Sequence, residues 1–148
     1  MRRSSMDRFI YAIYIKTTSE QLWKALTSPE FTAKYWWGRR LESDWKVGSD
    51  IKAVYDKSRI DWQGMILINQ RHTKLSFTFH LEENPSLKND APSVVTYEIG
   101  PAGKSAIKLT VSHVNLSAKG FEDVSDGWPQ LLCSLKSLLE SGQALEYK

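Results

Sequence analysis

From residue 40 to residue 115 of this 148-residue chain, apolar side chains recur at every second position. A period of two belongs to strands that bury one face, and no helix keeps such a pattern over this length. Ile51, Ala53 and Tyr55 follow a Val47-Gly48-Ser49 turn, and Asp56–Arg59 is polar enough to reverse the chain. The return strand sets Ile60, Trp62, Gly64, Ile66 and Ile68 on one face and Met65 and Leu67 on the other, up to a turn at Arg71–Lys74. Leu75, Phe77 and Phe79 alternate with Ser76, Thr78 and His80, the pattern of a half-buried strand with an aromatic inner face. Glu82–Pro92 has no period and reads as a loop. Val95, Tyr97 and Ile99, a turn at Gly100–Gly103, and Ile107, Leu109, Val111 and His113 then form a second hairpin. These connections are too short for crossovers, so the strands form an antiparallel meander.

The flanks are different. The apolar run Phe9–Ile15 is β-branched and aromatic and reads as a strand that can be covered on both faces, which brings the meander to about six or seven strands. Thr18 stands three residues before Gln21 in capping-box spacing, and Leu22, Trp23 and Leu26 follow at helical intervals. Ser28-Pro29-Glu30 starts a second short helix, with Ser as cap and Pro in the first turn. A final helix is expected from about Ser125 to Ser141, with Trp128, Leu132, Leu135 and Leu139 in one stripe and Gly142 closing it. Cys133 projects away from that stripe and is expected outside the core.

A helix with one broad apolar face and a meander with an aromatic inner face each need the other as cover. The expected fold is therefore α+β, a helix-grip in which a curved antiparallel sheet wraps a long C-terminal helix and two short helices follow the first strand. One such domain fills residues 1–148, with residues 1–7 expected to be a flexible start. The composition, 41% hydrophobic and 25% charged without a biased tract, excludes disorder, collagen and coiled coil. Twenty Lys and Arg against 17 Asp and Glu leave +3, too weak a field for a nucleic-acid partner. No run is long enough to span a bilayer as a helix. The single cysteine, Cys133, excludes an intrachain disulfide and favours a reducing compartment, so a cytoplasmic location is expected.

Four segments in order, Ile13–Glu30, Tyr35-Trp36-Trp37-Gly38, Leu109–His113 and Gly127–Glu140, resemble the homologues of the activator of heat-shock-protein-90 ATPase. That family lies in a wider helix-grip superfamily that includes lipid-transfer domains and the birch pollen allergen. The resemblance implies a central cavity for an apolar or amphipathic ligand, and as an alternative a chaperone or another protein as partner. Other superfamily members are cyclases or dehydratases, which implies a third reading as an enzyme of that type.

The candidate ligand-binding residues are Trp36, Trp37, Tyr55, Trp62, Phe77, Phe79, Tyr97, Val111, His113, Trp128, Leu132 and Leu135. Six Trp and five Phe are many for this length, and inward Trp and Tyr carry N–H and O–H groups that a dry core leaves unpaired. Trp36 and Trp37 are adjacent, so one is expected inside and the other at the surface, with Arg39 and Arg40 beside them in a solvated turn or near a pocket mouth. His113 shares the inward face with Ile107, Leu109 and Val111, where it is either a core histidine satisfied by a hydroxyl or water, or a polar handle for a ligand. In the enzyme reading, His113 would act with Tyr97 or Tyr55 as acid and base. His72, His80 and His113 have no metal-ligand spacing, so neither metal nor other cofactor is expected, and no nucleophile–base pair or phosphate loop stands out. The expected function is binding of a small apolar or amphipathic ligand without chemistry on it, by a monomer or a homodimer.

Overall fold

The computed structural model describes residues 8–81 and 92–147. The expected flexible start over 1–7, and all of the expected loop but Pro92, lie outside the described residues.

The elements run β1 (Phe9–Ile15), α1 (Ser19–Thr27), α2 (Pro29–Tyr35), β2 (Arg40–Glu42), β3 (Asp50–Tyr55), β4 (Arg59–Gln70), β5 (Lys74–Leu81), β6 (Ser93–Ala102), β7 (Ala106–Val114) and α3 (Ala118–Ser141). The seven strands form one antiparallel sheet in the order β1-β7-β6-β5-β4-β3-β2. This is the α+β helix-grip: a curved sheet with a long final helix and two short helices after the first strand. The order follows from the sequence pattern, because hairpin connections place β2 to β7 side by side and only β1 must find a distant partner, β7.

β1 ends the sheet, and one of its faces is open: Ile10 and Tyr14 are exposed while Ile13 and Ile15 are buried. The expected cover on both faces is therefore corrected. Its free edge is met by α3, where Lys136 Nζ donates to the Tyr14 carbonyl (2.7 Å) and Glu140 Oε2 accepts from the Lys16 amide (2.7 Å). Side-chain groups thus occupy backbone groups that would otherwise template a further strand.

Thr18 caps α1 as its spacing predicts, its Oγ1 accepting from the Gln21 amide (3.1 Å). Ser28 does not cap α2 with its side chain; its hydroxyl donates to Glu30 Oε1 (3.0 Å) instead. α3 begins about two turns before the expected Ser125, with the Ser117 hydroxyl accepting from the Gly120 amide (3.0 Å). Gly120 lowers helix propensity in this stretch, and a tertiary contact, Phe121 edge-on to Phe9, supports it. Cys133 is half-buried at the rim of the core rather than outside it.

The last hairpin also turns later than expected. β6 runs through Pro101 to Ala102, and the turn is made beyond it at Gly103. The Ile99 amide faces the Thr73 carbonyl (2.8 Å), so the Pro101 nitrogen, two residues on, faces the same edge past the end of β5, where no ladder bond is lost. Gly64 sits where two strands approach closely. A Cβ there would lie 1.8 Å from the Thr78 carbonyl oxygen of the neighbouring strand, so only glycine fits.

Candidate functional site

Trp62, Phe77 and Tyr97 stand on the inner face of three adjacent strands, β4, β5 and β6, because each occupies the buried phase of its strand's alternation. Trp62 and Phe77 stack at 5.5 Å between ring centroids with 6° between planes, and Phe77 meets Tyr97 edge-on at 5.9 Å. Opposite them Trp128, on the apolar stripe of α3, reaches Tyr97 at 6.1 Å. Trp36, at the C-terminal end of α2, touches both Trp128 (5.6 Å) and Trp62 (5.7 Å). Rings from three strands and two helical segments thus close a circuit between the sheet and α3.

The backbone after α2 explains why Trp36 joins the circuit and Trp37 does not. Trp37 and Gly38 both take left-handed conformations (φ 48° and 82°), which turn the chain so that Trp36 is buried and Trp37 is 42% exposed. Arg39 fixes that turn: its Nη1 donates to the Trp37 carbonyl (2.8 Å), its Nε donates to Asp61 Oδ2 (3.1 Å), and its guanidinium lies 4.3 Å from the centre of the Tyr55 ring. Asp61 is left between pairs where the β3–β4 register shifts, Ala53 facing Trp62 and Val54 facing Ile60. Arg39 is therefore a partnered, half-buried side chain, and Arg40, paired with Glu42, is the solvated one. Tyr55 lies under Arg39 and Arg59 at the end of β3.

A second circuit branches from the first through His113. Phe79 lies 4.5 Å from Trp62 and 5.0 Å from the His113 ring, which in turn lies 6.0 Å from Trp128. Trp128 Nε1 donates to His113 Nδ1 (3.0 Å). An indole nitrogen only donates, so Nδ1 carries no proton and the hydrogen resides on Nε2, which donates to Ser93 Oγ (2.7 Å). The Ser93 hydroxyl then donates to the Phe79 carbonyl (3.1 Å), and the chain of bonds is complete. Burial holds the His113 pKa down at about 3, so the ring is neutral. With its one accepting nitrogen taken by Trp128, His113 has no lone pair to offer a substrate proton. Sequence reasoning missed Ser93; the signal was the β6–β7 register, which sets Val95 opposite His113 and so puts Ser93 on the same inward face one step away.

Val111, Leu132 and Leu135 are fully buried in the same core. Two polar atoms of the circuit stand apart from this satisfied network: Trp62 Nε1 and the Tyr97 hydroxyl are buried and have no hydrogen-bond partner among the described residues. Both residues are 1% exposed. Burial pushes the Tyr97 pKa upward, so the hydroxyl keeps its proton. The Ser125 hydroxyl, three residues before Trp128, is likewise buried without a partner among the described residues.

Described residues line pockets outside this circuit. One, of about 390 Å³, is lined by Glu20, Trp23, Lys24, Thr27, Arg71 and His72; another, of about 410 Å³, lies along the C-terminal segment beside Leu138. No group of three His, Cys, Asp or Glu among the described residues is arranged to hold a metal ion. No helix of the described residues is long and apolar enough to cross a membrane.

No curated protein matches the sequence. Solved structures do resemble the fold. Protein MLL2253 from Mesorhizobium loti aligns with a TM-score of 0.76 at 23% identity, over 90% of this chain and 96% of that one. An HSP90 activator from Plasmodium falciparum aligns at 0.75 and 20% identity, over 89% and 95%. The Aha1 dimer from Colwellia psychrerythraea aligns at 0.74 and 19%, over 93% and 98%. A family model matches residues 16–140, from the end of β1 through nearly all of α3 and so across every ring of the circuit. The chain belongs to the family of Activator of Hsp90 ATPase homolog 1-like proteins.

Proposed function

We propose that this protein binds a small apolar or amphipathic molecule between the sheet and α3, within the circuit of Trp36, Trp62, Phe77, Tyr97 and Trp128. The observation that carries the reading is a pair of buried groups without a partner among the described residues, Trp62 Nε1 and the Tyr97 hydroxyl. Leaving such a group unpaired costs about 1–3 kcal/mol, a cost that contact with a ligand removes. Val111, Leu132 and Leu135 would supply apolar walls, Phe79 and His113 would form one end, and Tyr55 and Trp37 would lie at the entrance. His113 would shape the site rather than act as a base, because both its nitrogens are engaged. Cytoplasmic residence suits the lone thiol, Cys133.

The test is a titration of intrinsic tryptophan fluorescence with fatty acids, sterols and flat aromatic compounds. A saturable change with one class is expected, since Trp36, Trp62 and Trp128 all belong to the circuit. A flat response to all three classes would remove the reading.

A second reading, a module that acts on a chaperone, is favoured by Trp37, a large aromatic side chain held outward by left-handed backbone. It also agrees with two of the similar structures, described as an HSP90 activator and as Aha1. Under that reading, the chain raises Hsp90 ATPase turnover and Trp37→Ala abolishes the effect without altering ligand titrations.

A further inference from the structure

We infer that the molecule taken up at the aromatic circuit carries a neutral hydrogen-bond acceptor, such as a carbonyl oxygen, that meets Trp62 Nε1 and the Tyr97 hydroxyl. This rests on the ligand-binding reading above and specifies its ligand.

The inference comes from what the buried polar groups already do. Thr32 Oγ1 accepts from the Leu41 amide and donates to the Pro29 carbonyl, and Ser76 donates to the Val95 carbonyl. Ser134 exchanges bonds with the backbone of Leu145, and Ser93, His113 and Trp128 satisfy one another. Within the circuit, what remains without a partner among the described residues is an indole N–H, which can only donate, and a phenol that burial keeps protonated and able to donate. A ligand that answers both must accept. A hydrocarbon would bury two donors without partners, which is the arrangement that gives polar sites their selectivity against analogues lacking the matching group.

An anion is excluded by the same inventory. The buried polar residues among those described are Thr32, Ser76, Ser93, His113 and Ser134, and none of them is charged. A carboxylate would find two donors but no counter-cation, and would be taken out of water uncompensated.

The experiment compares 1-indanone, indane and 1-indanecarboxylate, which share a skeleton and differ in the polar group. Calorimetry gives the affinities of the full chain, and proton–nitrogen correlation spectra follow its indole N–H signals, the Trp62 signal being identified by its loss in Trp62→Phe. The ketone is expected to bind at least tenfold more tightly than the hydrocarbon, although the hydrocarbon is the more hydrophobic, and to move the Trp62 indole signal downfield. In Tyr97→Phe the ketone preference should fall several-fold. If Trp62→Phe loosens the fold, the ratio of ketone to hydrocarbon affinity in Tyr97→Phe still decides. Equal or tighter binding of indane, binding of the carboxylate as tight as the ketone's, or a ketone preference untouched in both variants would overturn the inference while leaving ligand binding intact. Failure of all three compounds to bind, together with flat fluorescence titrations, would overturn the ligand-binding reading itself.

Discussion

The indole N–H of Trp128 on α3 donates to Nδ1 of His113 on β7 across 3.0 Å, which locks the imidazole in its Nε2–H form and ties the final helix to the sheet. A protonated His113 would turn Nδ1–H against the Trp128 N–H, setting donor against donor. The interaction therefore exists only while the ring is neutral.

That sets a pH dependence of stability. The folded-state pKa of His113 is held down at about 3, against 6.5 for an ordinary histidine, so below pH 6.5 the unfolded chain takes up a proton that the folded chain refuses. The contribution is fully present above pH 6.5 and is lost as pH falls toward 3, by about 1.4 kcal/mol per pH unit once well below 6.5. Denaturant melts should show this protein losing about 2 kcal/mol more between pH 7 and pH 5 than His113→Gln does. Parallel losses in the two proteins would mean that His113 titrates freely in the fold.

Tyr97→Phe deletes a buried hydroxyl that has no partner among the described residues. Its removal should leave stability unchanged or raise it by about 1 kcal/mol, since a desolvation cost disappears and no hydrogen bond is lost. A thermal melt without added ligand checks this. Destabilisation beyond about 1 kcal/mol would show that the hydroxyl is bonded in the folded protein.

Gly64→Ala would drive a Cβ to 1.8 Å from the Thr78 carbonyl oxygen, which is backbone and cannot rotate away. The strands would have to separate where Met65 N also donates to Thr78 Oγ1 (2.8 Å). The expected cost is at least about 2 kcal/mol, with β4–β5 amides losing hydrogen-exchange protection first. Wild-type stability in this variant would refute the close approach.

Trp37 holds a left-handed backbone (φ 48°) at a position that is 42% exposed. Trp37→Gly should therefore stabilise the fold, by up to about 1 kcal/mol, because glycine adopts this conformation without a Cβ penalty. A loss of stability would show that the indole packs more firmly than its exposure implies.

The strand alternation made much of the inward face legible. Trp62, Phe77, Tyr97, Val111 and His113 all lie inward as a period of two places them, and Trp36 and Trp37 divide inside and outside as adjacent residues must. Where propensity and tertiary support disagreed, the reading failed: Gly120 concealed the first turns of α3, and β1 proved open on one face because it ends the sheet.

Local spacing alone determined the meander, the two short helices, the final amphipathic helix and the inward set of aromatic residues, because each depends on neighbours two to four residues away. Which rings touch, and which donors find acceptors, depended on β6–β7 register, on the distance between α3 and the sheet, and on the left-handed turn after α2. Those are contacts between residues 15 to 92 positions apart, such as His113 with Trp128 and Trp36 with Trp128. No periodicity along the chain encodes them. Only the packed structure could show that His113 is satisfied by Trp128 and Ser93 while Trp62 Nε1 and the Tyr97 hydroxyl find no partner among the described residues.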